Sequence, residues 1–467
     1  MTENFIVNTI CETDSYKLDH WEQYPDNTEY VYSYFESRPG ATYDYTTFFG
    51  LQIILKQYLT GVVITREMIE ETAILSEAHF GSKERFNRKG WEHILKEHGG
   101  KLPLRIKAVA EGVSVPVNNV LMTVENTDPK VPWLTNAVES LLTHVWYPST
   151  VATLSKSVKE MFSTYLERTS DNMDGIMFML HDFGYRGASS AETARIGGAA
   201  HLVNFWGTDT VPAMLCASHY YNAPLEGLAY SVPATEHSIM TSLGRDGEFK
   251  IVENLLEKYP TGILSVVADS YDIYEFVRKI GSTYKEDILS RDGKFVVRPD
   301  SITPDHPNPE DLMLWIVNTL AASFGTTTND KGYKVLNEKI GVLWGDGIDP
   351  AGIEKIIYTA VKNGFAASNF VFGMGGGLLQ KVNRDTQRFA FKSSAQCRDG
   401  VWHDVYKEPI DTSKTSKKGK LILAMNGDKF ITVPQGYGMT DIMQVVFENG
   451  ELITEYDFEE VRANAKI

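Results

Sequence analysis

The feature that most narrows the fold is a short run, KFVVRPDS at 294–301, and its repetition in kind along the second half of the chain. Phe295, Val296 and Val297 are too few for a helix and suit a strand buried on both faces. Pro299 cannot donate to a sheet ladder, so the strand stops and its polar tip, Arg298, Asp300 and Ser301, projects beyond the sheet. The layout recurs at 263–268, ending in Asp269-Ser270, at 340–344, ending in Gly345-Asp346-Gly347, and at 369–372, ending in the GMGGG run 373–377. Between these runs the apolar residues take helical spacing: Tyr274, Val277 and Ile280; Leu312, Ile316 and Leu320; Ile353, Ile357 and Val361. Strand alternating with helix means parallel strands joined by helical crossovers. The tips then form one polar rim at the C-terminal ends of the strands, where barrels and open α/β sheets place their sites.

Upstream, 176–180 reads as a strand ending in HDFGYRG, and 201–205 as a strand ending in WGTDT; YSVPATEHS follows at 230–238. Together these make about seven strand-and-tip units, enough to close an irregular barrel, with an open doubly wound sheet as the alternative. The N-terminal segment is less regular, with a strand at 30–35, a helix at 66–78, strands at 104–109 and 120–124, and helices at 133–145 and 149–166. After Arg388 the alternation stops. A basic loop at 407–420 carries Lys414, Lys417, Lys418 and Lys420, and hairpin turns follow at Asn426-Gly427 and Asn449-Gly450. These strands have no helical partners of their own and are expected to complete the N-terminal domain. The expected organisation is therefore 1–174 as the first part of an α/β sandwich, 175–388 as the irregular (β/α) barrel bearing the rim, and 389–467 as the strands and basic loop that finish the sandwich.

Composition excludes some classes. With 43% apolar and 23% charged residues the chain is globular, and its 61 acidic against 45 basic residues give a net charge of −16, the wrong sign for a nucleic-acid binder. The three cysteines, Cys11, Cys216 and Cys397, form no metal or redox spacing. The first residues lack a signal-peptide pattern, and no apolar run nears the roughly 18 residues of a membrane span. A cytoplasmic chain is the expectation.

The rim residues suggest chemistry on a phosphorylated sugar. Backbone N–H groups of a glycine-rich tip late in a barrel can wrap a phosphate. The run is neither GxGxxG nor a Walker A, which disfavours a dinucleotide fold and a P-loop. Arg298 and Asp300 suit phosphate oxygens on one side and ribose hydroxyls or Mg²⁺ on the other. Asp346 suits a second hydroxyl, whereas Asp349 before Pro350 reads as a helix cap; Asp269 fits a cap or a functional role equally. Phe183, between Asp182 and Arg186, offers a stacking face beside a cation, and His237 is one histidine among 11. No Ser-His-Asp spacing, HExxH helix or paired catalytic glutamates stand out, so transfer of a phosphoribosyl group, which needs no protein nucleophile, fits.

Taken together, DSYK (14–17), YSYFESR (32–38), HDFGYRG (181–187), HLVNFWGTDT (201–210), YSVPATEHS (230–238), SVVADSYDIY (265–274), RPDS (298–301), GDGID (345–349), GMGGGLLQK (373–381) and SKKGK (416–420) resemble the nicotinamide phosphoribosyltransferase family of type II phosphoribosyltransferases, nearly end to end. The resemblance implies a homodimer with active sites shared across the subunit interface, and synthesis of nicotinamide mononucleotide from nicotinamide and phosphoribosyl pyrophosphate with Mg²⁺. It puts the pyridine ring between Phe183 and Tyr16 (the latter from the second subunit), Arg186 beside it, and Asp209 on the carboxamide. Arg298, Asp300, Gly345 and Asp346 would hold the ribose, Gly375 and Gly376 the 5′-phosphate, and Arg38, Arg186, Arg384, Lys392 and Lys407, several of them from the second subunit, the pyrophosphate and ATP phosphates. Asp300 would meet the metal through the Mg²⁺-pyrophosphate. His237 would be phosphorylated by ATP, an activating co-substrate, and Asp269, Arg298 and Asp300 would be catalytic with it. Ala390 departs from the serine expected near the phosphates. Rival readings are nicotinate phosphoribosyltransferase of the same fold, a barrel metallohydrolase using His181, Asp182, His237, Asp269 and Asp300, and a non-catalytic binding protein.

Overall fold

The computed structural model describes residues 7–410 and 415–466, and Lys414 of the expected basic loop lies outside them. The chain forms two compact units: one holds the residues up to Thr153, His219–Ala223 and those from Asn383 to Lys466, the other Leu154–Ser218 and Pro224–Val382. The divisions fall at 153/154 and 382/383, against the expected 174/175 and 388/389, and the helix Trp146–Thr169 runs across the first of them.

In the second unit six strands lie in the order Gly207–Thr208, Leu180–Asp182, Phe370–Met374, Ile340–Trp344, Asp292–Arg298, Thr261–Val267. Every neighbouring pair is parallel. The two edge strands are joined by 230–234, through parallel bridges Gly207↔Tyr230 and Ala234↔Ser265, so the sheet curls into an irregular barrel. Pro233 has no N–H to give, which is why this segment contributes single bridges rather than a full strand; its carbonyl accepts from Ser265 N–H at 2.9 Å. Along Asp292–Arg298, Phe295 and Val297 are fully buried, while Lys294, Val296 and Arg298 face an interior cavity of about 360 Å³. That alternation is the period-two pattern of a strand with two different faces.

The crossover helices follow their local signals. Asp272 caps Ile273–Ser282 by accepting from Tyr274 and Glu275 N–H, and Ile273, Phe276, Val277 and Ile280 form its buried stripe. Asp349 accepts from Gly352 N–H ahead of Pro350–Lys362, and Pro309 opens Pro309–Phe324. Two expected strands are corrected. At 176–180 the chain forms a 3₁₀ turn, Ile176–Phe178, and the strand begins only at Leu180. At 201–205 it finishes the helix Ala191–His201 and turns, leaving Gly207–Thr208 as the strand. Leu202, Val203 and Phe205 are buried in that turn beside His201, whose ring is bonded to Ser155 Oγ at 2.9 Å and Gly207 O at 3.2 Å. An apolar run records burial, and here the burial is that of a helix end.

The first unit is built on a seven-stranded sheet in the order Val401–Asp404, Ala390–Arg398, Thr28–Glu36, Val120–Asn126, Leu104–Ala108, Gln444–Glu448, Glu451–Leu452. All its pairings are antiparallel, and strands from both chain ends interleave as expected. The hairpin Leu421–Asn426/Lys429–Pro434 forms its own two-stranded sheet. The helix expected over 133–145 is two short ones, Leu134–Ala137 and Glu139–Thr143. The basic loop is less free than its sequence suggests: Lys417 bonds Glu36 and Asn118, and Lys420 bonds Glu125.

Candidate active site

The barrel rim is assembled from close backbone approaches and a few polar anchors. Phe183 follows the strand Leu180–Asp182, and its N–H bonds Met374 O at 3.1 Å. Asp182, buried at the strand end, fixes the next turn by accepting Gly184 N–H at 2.7 Å. Burial pushes the Asp182 carboxyl up to about 6, against the pull of that bond. The Phe183 ring lies over two glycines: a Cβ at Gly373 would sit 2.0 Å from its Cε2, and one at Gly345 would sit 3.2 Å away. The ring therefore requires glycine at 373 and leaves only tight room for a side chain at 345. Gly376 is different, since a Cβ there would meet nothing within 4 Å. It opens the short helix Gly376–Leu379 and abuts Gly187, just after Arg186.

Phe183, Asp209, Ser231 and Arg298 share the lining of the interior cavity. Asp209 follows the strand Gly207–Thr208, its N–H bonds Asp182 O at 2.9 Å, and its Oδ1 accepts Ser231 Oγ–H at 2.6 Å. Arg298 donates to Thr235 O, whereas its buried Nε has no partner. Burial works against the Arg298 charge, and Asp300, Asp209 and Asp269 offset it. The guanidinium is thus held among acids with one donor unspent.

Behind it stands a small carboxylate–imidazole group. His237 begins the helix His237–Met240; its Nε2 lies 3.1 Å from Asp269 Oδ1 and its Nδ1 3.7 Å from Asp300 Oδ2. The His237 side chain is 46% exposed while Asp269 is 6% exposed, so the ring is reachable and its orienting acid is not. Asp269 also accepts from Ser301. Asp272, not Asp269, caps the following helix, which removes the capping reading of Asp269. Burial, then Asp300 and Asp269, push the Asp346 carboxyl up, so these three acids share one field. Trp344 Nε1–H donates to Asp346 O at 2.7 Å and fixes the Gly345–Gly347 turn.

The remaining predicted residues lie in the first unit. Lys392 is half-buried; burial pushes its ammonium down, and Lys407, Arg38 and Arg384 push the same way while Glu139 opposes them. Four cations predicted to meet phosphate are therefore gathered, and Arg38 is oriented by its Nε–H bond to Arg388 O at 3.0 Å. Tyr16 sits in the 3₁₀ turn Ser15–Leu18 with 55% of its surface exposed, and its neighbour Lys17 pairs with Glu139. Ala390 is buried opposite Glu36 at the start of its strand.

Sequence reasoning missed Ser231, Ser301 and Thr235, which orient Asp209, Asp269 and Arg298. All three lie within quoted motifs, but their hydrogen-bond partners are distant in sequence. The metallohydrolase reading finds no support: among the described residues, His181, Asp182, His237, Asp269 and Asp300 contain no three ligand atoms mutually within 4.8 Å.

A parallel barrel with glycines, an arginine and acids at its strand ends, accompanied by a sandwich of both chain ends, is the architecture of a type II phosphoribosyltransferase. The sequence profile of the nicotinate phosphoribosyltransferase (NAPRTase) family matches residues 178–451, and that of the nicotinamide phosphoribosyltransferase N-terminal domain matches 8–106. A nicotinamide phosphoribosyltransferase of Xanthomonas campestris pv. campestris is 46% identical over 477 residues, covering 99% of each chain. One from Acinetobacter baylyi is 33% identical over 491 residues, covering 98% of this chain and 97% of the relative. The chain belongs to the nicotinate phosphoribosyltransferase family and, within it, to the nicotinamide phosphoribosyltransferases. Solved structures agree on the fold: human nicotinic acid phosphoribosyltransferase aligns with TM-score 0.56 at 14% identity over 97% of this chain and 92% of that one, and nicotinate-nucleotide pyrophosphorylase from Pyrococcus furiosus with TM-score 0.59 at 16% identity over 100% and 97%. Among the described residues, no helix is long and apolar enough to cross a membrane.

Proposed function

We propose that this chain transfers the 5-phosphoribosyl group of phosphoribosyl pyrophosphate to nicotinamide, giving nicotinamide mononucleotide and pyrophosphate in NAD salvage. The carrying observation is the cavity wall that puts the Phe183 ring, the Ser231-anchored Asp209 carboxylate and Arg298 side by side. The ring stacks on the pyridine, worth roughly 0.5–1.5 kcal/mol beyond area burial. Asp209 accepts the carboxamide N–H. Nicotinate would instead bring a second carboxylate to it, a repulsion of about 4 kcal/mol at 4 Å in an effective dielectric of about 20. That term favours the amide over the acid, against the nicotinate reading.

Arg298, Asp300, Gly345 and Asp346 hold the ribose, and the open face at Gly376 with Gly375 takes the 5′-phosphate, with Arg186 alongside. Arg38, Arg384, Lys392 and Lys407 neutralise the departing pyrophosphate. As the C1–O bond to pyrophosphate lengthens, positive charge grows on the ribosyl centre and negative charge on the leaving group, and this basic cluster stabilises the latter. The pyridine nitrogen, held by Phe183 and Asp209, attacks the opposite face. Asp300, 35% exposed at the rim, offers a carboxylate to Mg²⁺, a hard cation that prefers oxygen donors, through the pyrophosphate. Bound there, it would screen the leaving group's charge. His237, reachable and oriented by Asp269, is the residue that ATP would phosphorylate to stimulate turnover. Tyr16 and the basic cluster reach a neighbour's rim in a homodimer with shared sites, a reading supported by the exposure of Tyr16. The test is product analysis with phosphoribosyl pyrophosphate, Mg²⁺ and each base, with and without ATP. Nicotinamide mononucleotide is expected, and preferential product from nicotinate would overturn the assignment.

A further inference from the structure

Away from every residue used above, two histidines and an aspartate of the first unit converge. His93 lies in the helix Arg88–Glu97 and His98 caps its C-terminus, its N–H bonding Ile94 O at 3.1 Å. Asp128 stands just beyond the strand Val120–Asn126. Both histidine Nε2 atoms lie 2.7 Å from one oxygen, Asp128 Oδ2. The other oxygen, Oδ1, accepts Lys130 N–H at 2.9 Å, so the carboxylate is aimed before anything binds. The three side chains are 20%, 28% and 14% exposed, so each is partly shielded and none is sealed from solvent. Among the described residues this is the set of His, Cys, Asp or Glu whose ligand atoms all fall within 4.8 Å of one another.

We propose that His93, His98 and Asp128 form a binding site for a divalent transition-metal ion of the Zn²⁺, Co²⁺ or Ni²⁺ class. Two imidazoles and one carboxylate are a borderline donor set; Mg²⁺ and Ca²⁺ prefer oxygen throughout. Metal–ligand bonds of about 2.0–2.2 Å put tetrahedral ligand atoms roughly 3.3 Å apart. The 2.7 Å contacts therefore need to open by only about half an ångström, within the reach of side-chain rotation. The Lys130 amide supplies the outer hydrogen bond that metal-bound carboxylates commonly have. Binding replaces the two Nε2–H···O bonds by two N–metal bonds, with each imidazole proton moving to Nδ1 or to water. The ion would pin the C-terminal end of the helix Arg88–Glu97 to the turn after Val120–Asn126, a structural clamp independent of the rim.

The test uses the full chain, stripped with EDTA and returned to metal-free buffer. Zn²⁺ is titrated in competition with a chromophoric chelator, Co²⁺ is followed by its visible absorption, and melting is recorded with and without Zn²⁺. Wild type is compared with His98→Ala, His98→Gln and the double variant His93→Ala/His98→Ala. His98→Gln keeps an N–H donor to Asp128 and guards against a folding defect in the alanine variants. The rim acids and His237 are present in every protein, so their metal affinity cancels in the comparison. Wild type is expected to hold one Zn²⁺ per chain more than the double variant, with affinity falling about ten-fold or more in either single variant. Its melting temperature should rise with Zn²⁺ while that of the double variant stays fixed. Equal stoichiometry and affinity in wild type and the double variant would overturn the proposal.

Discussion

Adding one methyl group at Gly373 tests the reason for a glycine-rich strand end. A Cβ there would sit 2.0 Å from Cε2, 2.1 Å from Cδ2 and 2.7 Å from Cζ of Phe183. Carbon atoms rest at about 3.5–4.0 Å, so the ring must retreat by more than 1 Å. The strand cannot yield in its place, because Phe372 and Met374 are fully buried and Gly373 is paired with His181. Overpacking of this kind costs about 1–3 kcal/mol of stability. If Phe183 carries the pyridine, Gly373→Ala also loses its stacking, roughly 0.5–1.5 kcal/mol. At 1.4 kcal/mol per decade that is about a 2- to 12-fold rise in KM for nicotinamide. Gly376→Ala is the matched control, since its methyl meets no protein atom within 4 Å and its φ lies outside the left-handed region. It should melt like wild type while KM for phosphoribosyl pyrophosphate rises. Steady-state kinetics for each substrate and thermal melts read both effects. The reasoning fails if Gly373→Ala leaves the nicotinamide KM unchanged, or if Gly376→Ala disturbs stability while sparing the phosphoribosyl pyrophosphate KM.

Three further predictions concern charge. Asp209→Asn removes the repulsion toward nicotinate; because Asp209 faces solvent in the free chain the full 4 kcal/mol is an upper bound, and the preference for nicotinamide should narrow by about 10- to 100-fold in a competition assay. His237→Ala should retain transferase activity and lose stimulation by ATP; equal stimulation of both proteins rejects the role. The Asp182 carboxyl, pushed up to about 6 by burial, binds its proton more tightly folded than unfolded, so its contribution to stability is fullest below about pH 4 and is lost as pH rises through 6. Asp182→Asn keeps an acceptor for Gly184 N–H and should flatten the fall in urea midpoint between pH 4.5 and 7; an identical slope in both proteins would contradict the burial argument.

The local chemistry of the barrel was legible because it is local. Asp349 with Pro350 caps a helix, Asn426-Gly427 turns a hairpin, and β-branched runs ending in Pro or Gly stop as strands, each within a few residues. The run 201–205 misled because apolar side chains buried around a helix end look like those of a short strand, and the deciding bonds reach back to Ser155 and forward to Gly207. Asp269 and Asp272 could not be ranked by spacing; folding gave the cap to Asp272 and left Asp269 for His237.

From residue order alone followed the alternation of strands and helices, the polar rim it implies, the return of the C-terminal strands to the N-terminal sheet, and the family likeness. Three-dimensional packing decided that Phe183 needs Gly373, that Ser231 aims Asp209, that the lysines at 417 and 420 are already paired with acids, and that His93 and His98 meet Asp128. The division has a physical basis: periodicity and capping act over one turn or one hairpin, whereas a site is made of side chains whose neighbours are set by which strands pair.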